Sequence, residues 1–151
     1  MKRKRRGFSI VELVVVIVII GVLSIIAFPQ FNQFLTSVSV KSANQQVAAY
    51  LVRARAAAIE NGRVARFIRT GNTVLVTVDR PGGPVVIGAA QDLYASHGVT
   101  LSATRDTIAY DPRGFAVGLG GRQKVNVYRG TLRDSVCVAG LGKITPSACT
   151  L

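Results

Sequence analysis

The sequence predicts an α+β protein: one long N-terminal helix, membrane-spanning in its first half, packed on a mainly antiparallel β-sheet. Three observations carry this. An apolar run from Phe8 to Phe28 holds a single ionisable side chain, Glu12. A stretch with helical spacing follows it as far as Asn61-Gly62. From Arg63 onward, short β-branched runs alternate with turn residues.

The apolar run comes first in the chain. Its 21 residues make a helix of roughly 31 Å, about the thickness of a bilayer's hydrocarbon core. Five bases precede it (Lys2, Arg3, Lys4, Arg5 and Arg6), so the positive-inside rule keeps the leader in the cytoplasm. Everything after Pro29 then lies on the far side. Glu12 is the anomaly, because an ionised carboxylate near the bilayer centre costs roughly 2.5–3.5 kcal/mol on insertion scales. A secretory signal peptide does not account for it, since its apolar core is usually shorter and "SIIAFPQ" is a poor small-x-small site. A plain anchor leaves the glutamate unexplained. The remaining reading makes "GFSIVE" a processing joint, cut after Gly7.

The stretch "RGFSIVELVVVIVIIGVLSIIAFPQF" resembles the N-terminus of type IV pilins and of the pseudopilins of type II secretion. The shared features are the basic leader, Gly7 before the cut, Phe8 as the new first residue and Glu12 as the fifth. Gly21 and Pro29, at expected helix bends, complete the match. The resemblance implies a type IV pilin-like fold. It also implies a prepilin peptidase/N-methyltransferase that removes the leader and methylates Phe8. Other pilins or pseudopilins would be the partners in a filament, entered from the inner membrane. Cutting after Gly7 creates an amine at Phe8 that a neighbour's Glu12 can meet, and opposite charges attract strongly in low dielectric. Removing one member of such a pair strands a buried charge at a cost of about 3–5 kcal/mol. Glu12 is thus expected to serve assembly.

These features divide the chain into a leader (1–7), a membrane and filament-core helix (8–29), an amphipathic half (30–62) and a periplasmic β-rich head (63–151). Pro29 lacks an N–H and favours a bend. Beyond it, Phe34, Val38, Val47, Leu51, Ala54 and Ala58 are expected to form one apolar stripe. Asn32, Gln33, Lys41, Asn44, Gln45, Arg53 and Arg55 are assigned to the solvated faces. Asn61-Gly62 suits a C-terminal cap. The runs "VARFI", "TVLVTV", "PVVI", "VTL", "TIAY", "KVNVY" and "SVCVA" read as strands. Asp111-Pro112-Arg113-Gly114 has Asp, Pro and Gly where a type I turn favours them.

At 151 residues there is room for one modest domain and an appendage. Net charge is +12, from 19 bases against 7 acids. The leader holds five of the bases, so fourteen against seven remain, an excess of +7. Part of that excess is grouped: Arg63, Arg66 and Arg69, then Arg122, Lys124, Arg129 and Arg133, then Lys143. Such groups give salt-dependent affinity for nucleic acid or a solvated surface. Cys137 and Cys149 are the only cysteines, and in an exported domain they read as a disulfide worth about 2–3 kcal/mol.

The second half resembles the branch of the superfamily holding the minor pseudopilin H and the minor pilin T. An aromatic-Asp-x-Arg-Gly turn recurs there, matched by Tyr110, Asp111, Arg113 and Gly114. In DNA-uptake relatives, a C-terminal Gly-Arg-x-Arg element contacts DNA. Here the positions read Gly142-Lys143-Ile144-Thr145, so bidentate arginine recognition is lost. The primary expectation is therefore a minor pilin-like subunit of a type II secretion pseudopilus or a type IV pilus. The alternative is a DNA-binding minor pilin with candidate contacts at Arg122, Lys124, Gly142 and Lys143.

No catalytic constellation is visible. His97 has no triad partners around it and reads as a loop or surface residue, and the aspartates are scattered among turns. "GLGG" lacks the Lys-Ser/Thr of a phosphate loop. Neither metal, cofactor nor enzymatic activity is expected.

Overall fold

A computed structural model gives the fold of the chain and describes residues 8–147. The chain divides into two compact units, Met1–Leu35 and Thr36–Leu151. Helix α1 (Ile10–Asn61) runs through the first and opens the second.

In the first unit the Ser9 carbonyl accepts from the Leu13 N–H at 3.2 Å, which makes Ser9 the residue that starts the helix. The turns that follow are apolar on every side, and Leu13, Ile17, Ile20 and Leu23 are all exposed. Such a helix has no single face to bury against its own chain. The Ser24 hydroxyl donates back to the Ile20 carbonyl at 2.8 Å, so this serine brings no unmet donor into the run.

In the second unit one stripe of α1 is buried: Val40, Ala43, Val47, Leu51, Ala54 and Ala58. The steps of three and four keep these residues on one face. Phe34 and Val38 do not belong to it, being 63% and 46% exposed. The nine residues from Val38 to Val47 turn the helix by about half a revolution more than two full turns, so the expected stripe changed faces there. Asn44, assigned to solvent, is buried and donates to the Ser147 hydroxyl at 3.3 Å. The helix ends as the Asn-Gly pair requires. Gly62 adopts φ +62°, its N–H bonds to the Ile59 carbonyl, and the Arg63 N–H bonds to the Ala58 carbonyl. That is a full Schellman cap.

The strands are β1 (Ala65–Thr70), β2 (Thr73–Arg80), β3 (Gly83–Val86), β4 (Gln91–Asp92), β5 (Thr100–Ala103), β6 (Thr107–Tyr110), β7 (Ala116–Val117), β8 (Gln123–Arg129), β9 (Leu132–Val138) and β10 (Ile144–Pro146). All seven expected runs appear. β4, β7, β10 and the short helix α2 (Leu93–His97) are additional. The single expected sheet is in fact two. One has the order β3-β2-β1-β6-β7 with β4 also on β2, and the other has the order β10-β9-β8-β5; all pairs are antiparallel. The chain alternates between them, leaving the first sheet for β5, returning for β6 and β7, and ending in the second.

One core joins both sheets to the helix. Phe67, Val74, Val76, Val78, Ile108 and Tyr110 come from the first sheet, and Leu101, Val125, Val127, Val136 and Val138 from the second. Each large apolar side chain buried there contributes about 1.5–3 kcal/mol. Polar clasps hold the sheets in place. The Asn72 side chain accepts from the Leu101 N–H at 3.0 Å, and the Ala116 N–H donates to the Gly140 carbonyl at 3.1 Å.

Candidate functional site

Glu12 stands in the first turn of α1, three residues after the starting Ser9. Ser-Ile-Val-Glu is therefore spaced as a capping box, and an anion at a helix N-terminus is favoured by the macrodipole. Sequence reasoning missed this local reason for a carboxylate here, although the S-x-x-E spacing carries it. Phe8 is 76% exposed. Beyond its own stretch of helix backbone, no atom of the described residues lies within 4 Å of where a Cβ on Gly21 would stand. Gly7, Cys149 and the side chain of Pro29 lie outside the described residues. By length and composition, no single helix among the described residues is long and apolar enough to cross a membrane, whereas segments Ile10–Ile25 and Gln30–Asn61 qualify as a pair.

The second constellation forms where the head's two sheets meet. Asp111 organises the turn after β6. Its carbonyl accepts from the Gly114 N–H at 2.9 Å, and its Oδ1 accepts from the Arg113 and Phe115 N–H groups, each at 2.9 Å. The expected turn is thus present, with Gly114 at φ +83°. The Arg113 side chain is exposed and has no partner among the described residues. Gly114 is buried, and a Cβ on it would come to 2.9 Å from Ile59 Cδ1 and 3.0 Å from Arg55 Nε.

Gly142 closes the β9–β10 hairpin. Its N–H donates to the Ala139 carbonyl at 2.8 Å and its φ is +75°, as a type I turn ending in a left-handed residue requires. A Cβ on Gly142 would overlap the Gly114 carbonyl oxygen. The aromatic-Asp-x-Arg-Gly turn and the C-terminal glycine turn therefore interlock through two glycines. Arg55, expected among solvated residues, is half-buried beneath them and donates to the Gly142 carbonyl at 3.3 Å. Tyr110 is fully buried in the core. Its hydroxyl has no hydrogen-bond partner among the described residues, and burial pushes its pKa well up despite the pull of Arg55.

The basic groups resolve differently from their spacing in sequence. Arg66 makes a two-pronged ion pair with Asp79, which holds that carboxyl below its usual range and raises the guanidinium. Arg69 pairs with Asp106 and also donates to the Gly71 carbonyl at 2.8 Å. Arg129 donates to Ser39 Oγ and to the His97 carbonyl, each at 3.2 Å. Of the four candidate DNA contacts, Lys124 and Lys143 are exposed, Gly142 is buried and Arg122 is already engaged. Cys137 is disulfide-bonded.

His97 is not a free loop residue. It closes α2, is half-buried, and its Nε2 lies 2.8 Å from Gln46 Oε1 on α1. That helix has Asp92 as N-cap, accepting from the Tyr94 and Ala95 N–H groups, and Gly98 as C-cap at φ +64°. Among the described residues, no group of three or more His, Cys, Asp or Glu side chains is placed to hold a metal ion.

A long N-terminal helix leading into an antiparallel β head is the type IV pilin-like fold. Residues 2–28 match the family model described as the prokaryotic N-terminal methylation motif. The structure is similar to the crystal structure of the type IV minor pilin FimU from Pseudomonas aeruginosa, with a TM-score of 0.62 at 14% identity, covering 80% of this chain and 92% of that one. A second crystal form of the same pilin gives a TM-score of 0.58 at 14% identity, over 71% of this chain and 91% of that one. No curated protein sequence matches the chain.

Proposed function

We propose that the chain is a minor pilin-like structural subunit, made as a precursor and assembled into a periplasmic pilus or pseudopilus. The observation that carries this is a methylation motif over residues 2–28 on a helix with exposed apolar flanks, joined to a head of minor-pilin fold. In this reading, prepilin peptidase cuts after Gly7 and methylates Phe8. Residues 8–29 hold the subunit in the inner membrane as a single span, and residues 30–151 lie in the periplasm. On assembly the apolar helix moves from lipid to a core of like helices, an exchange of one apolar surrounding for another. Glu12 then meets the Phe8 amine of a neighbour, and that charge pair sets the helices' register. The Cys137–Cys149 disulfide ties down the end of the head. Mass spectrometry of the protein from its host tests the first step. A mature chain beginning at methylated Phe8 is expected; one beginning at Met1, or near Phe28, refutes the reading.

A further inference from the structure

The outer face of the second sheet carries an open groove of about 790 Å³, whose lining includes Lys124. Strand register fixes its layout. Tyr128 lies opposite Arg133, and Asn126 lies opposite both Ser135 and Ser102, which puts an amide and two hydroxyls in one row across the floor. Lys124 stands on the row of Cys137, four residues along β8 from Tyr128, so the backbone rows that carry the two cations are about 13 Å apart along the strand. Both Lys124 and Arg133 are exposed, and neither side chain has a partner among the described residues. Asp134 also lines the groove, with its carboxylate accepting from the Ser135 N–H and from the Ser147 hydroxyl.

We propose that this groove binds an acidic glycan, a chain of sugar rings bearing carboxylates. A cation at each end suits spaced carboxylates, and arginine offers one of them a two-pronged contact. The amide and hydroxyls between the cations are donors and acceptors matched to sugar hydroxyls. The Tyr128 ring adds an apolar face with a polar tip, against which a sugar ring packs. The competing ligands fit less well. A nucleic acid strand carries a phosphate on every residue, and two cations diluted by one carboxylate are a sparse match for it. An extended peptide recognises a free strand edge, but β8 and β9 are interior strands of this sheet.

Calorimetric titration of the full chain in detergent micelles with an oligomer that alternates glucuronic acid and N-acetylglucosamine, so that only every second ring bears a carboxylate, tests the proposal. Binding is expected at low salt and should weaken as salt rises. Lys124→Ala and Arg133→Ala should each weaken it about tenfold, the loss of one charge-assisted hydrogen bond. Lys41→Ala, an exposed change on α1, should leave it unchanged. Thermal melts of the variants confirm that the head stays folded. Absence of binding at low salt overturns the proposal, as does equal affinity for a neutral glucose oligomer. Tighter binding of a single-stranded oligodeoxynucleotide or of polyglutamate reassigns the groove to those ligands and also overturns it.

Discussion

The two units of this chain satisfy their apolar side chains in opposite ways. Between Ile10 and Leu35 the large apolar side chains that the structure describes are exposed, whereas Leu51, Phe67 and Tyr110 in the second unit are fully buried. Backbone hydrogen bonds give the first unit its shape, and a helix apolar on all sides is favoured in apolar surroundings, which in the proposed role are lipid or other helices. The second unit encloses its own core between the two sheets and the buried stripe of α1. Mutations in the first unit should therefore change where the protein goes, and mutations in the second should change whether it folds.

The largest expected effect comes from breaking the proposed link between the first unit and its neighbours. Glu12→Ala should leave leader removal intact and reduce incorporation into sheared filaments to near background, as immunoblots of the membrane and filament fractions would measure. Glu12→Gln separates the two roles of this position. Glutamine keeps the capping-box spacing but not the charge, so incorporation as poor as that of the alanine variant assigns Glu12 to an intermolecular ion pair. Restored incorporation assigns it to starting the helix.

Within the head, Gly142→Ala should be the most damaging small change. It drives a methyl group into the Gly114 carbonyl and strains a residue at φ +75°. A loss of about 2–4 kcal/mol in denaturant unfolding is expected. Gly114→Ala should cost less, because its nearest neighbours are the movable tips of Ile59 and Arg55 rather than backbone. Equal costs would mean that the two turns do not interlock as described.

That interlock marks the limit of what could be read from the sequence. The turn at Asp111 and the cap at Gly62 were legible because each is a local pattern, completed within a few residues. Helix α2 is equally local, with Asp92 before it and Gly98 after it, but at five residues it is too short to show a hydrophobic period, and His97 stands out only as an isolated histidine. The contact between Gly114 and Gly142 joins turns from different sheets, and no spacing encodes it. Arg55 looked solvated for the same reason, because what covers it arrives from far along the chain. The division into two sheets was hidden too: β5 and β8, paired in the structure, are separated in sequence by two strands of the other sheet. At the N-terminus, by contrast, Gly7, Phe8 and Glu12 are proposed from their linear order alone, while the capping-box spacing from Ser9 to Glu12 was passed over.

Tyr110 offers a finer probe of the same packed region. Its phenol is buried without a hydrogen-bond partner and its pKa is raised above 10.0, so the folded state keeps a proton that the unfolded chain releases. Stability due to this group is complete below pH 10 and falls above it by about 1.4 kcal/mol per pH unit. Tyr110→Phe should remove that alkaline slope while leaving stability at neutral pH unchanged or slightly higher, because it deletes an unmet hydroxyl. Urea unfolding at a series of pH values would show both effects.

The smallest expected effect lies at the surface of the head, at the pair between Arg66 and Asp79. Arg66 holds the Asp79 carboxyl below 3.8, so the folded state binds this proton less readily than the unfolded chain does. The contribution is therefore present above pH 3.8 and is lost as pH falls through the lower folded value. Both side chains are well exposed, at 33% and 40%, so solvent screens the pair and the gain is slight. Asp79→Asn should flatten the acid limb of the stability curve and leave the neutral region almost unmoved. Added salt should mimic the substitution in the wild type, because an exposed ion pair weakens as the Debye length shortens. A large loss at neutral pH would mean instead that Asp79 holds β1 and β2 in register. The pair would then be part of the head's frame, not merely a neutralised spot on a basic surface.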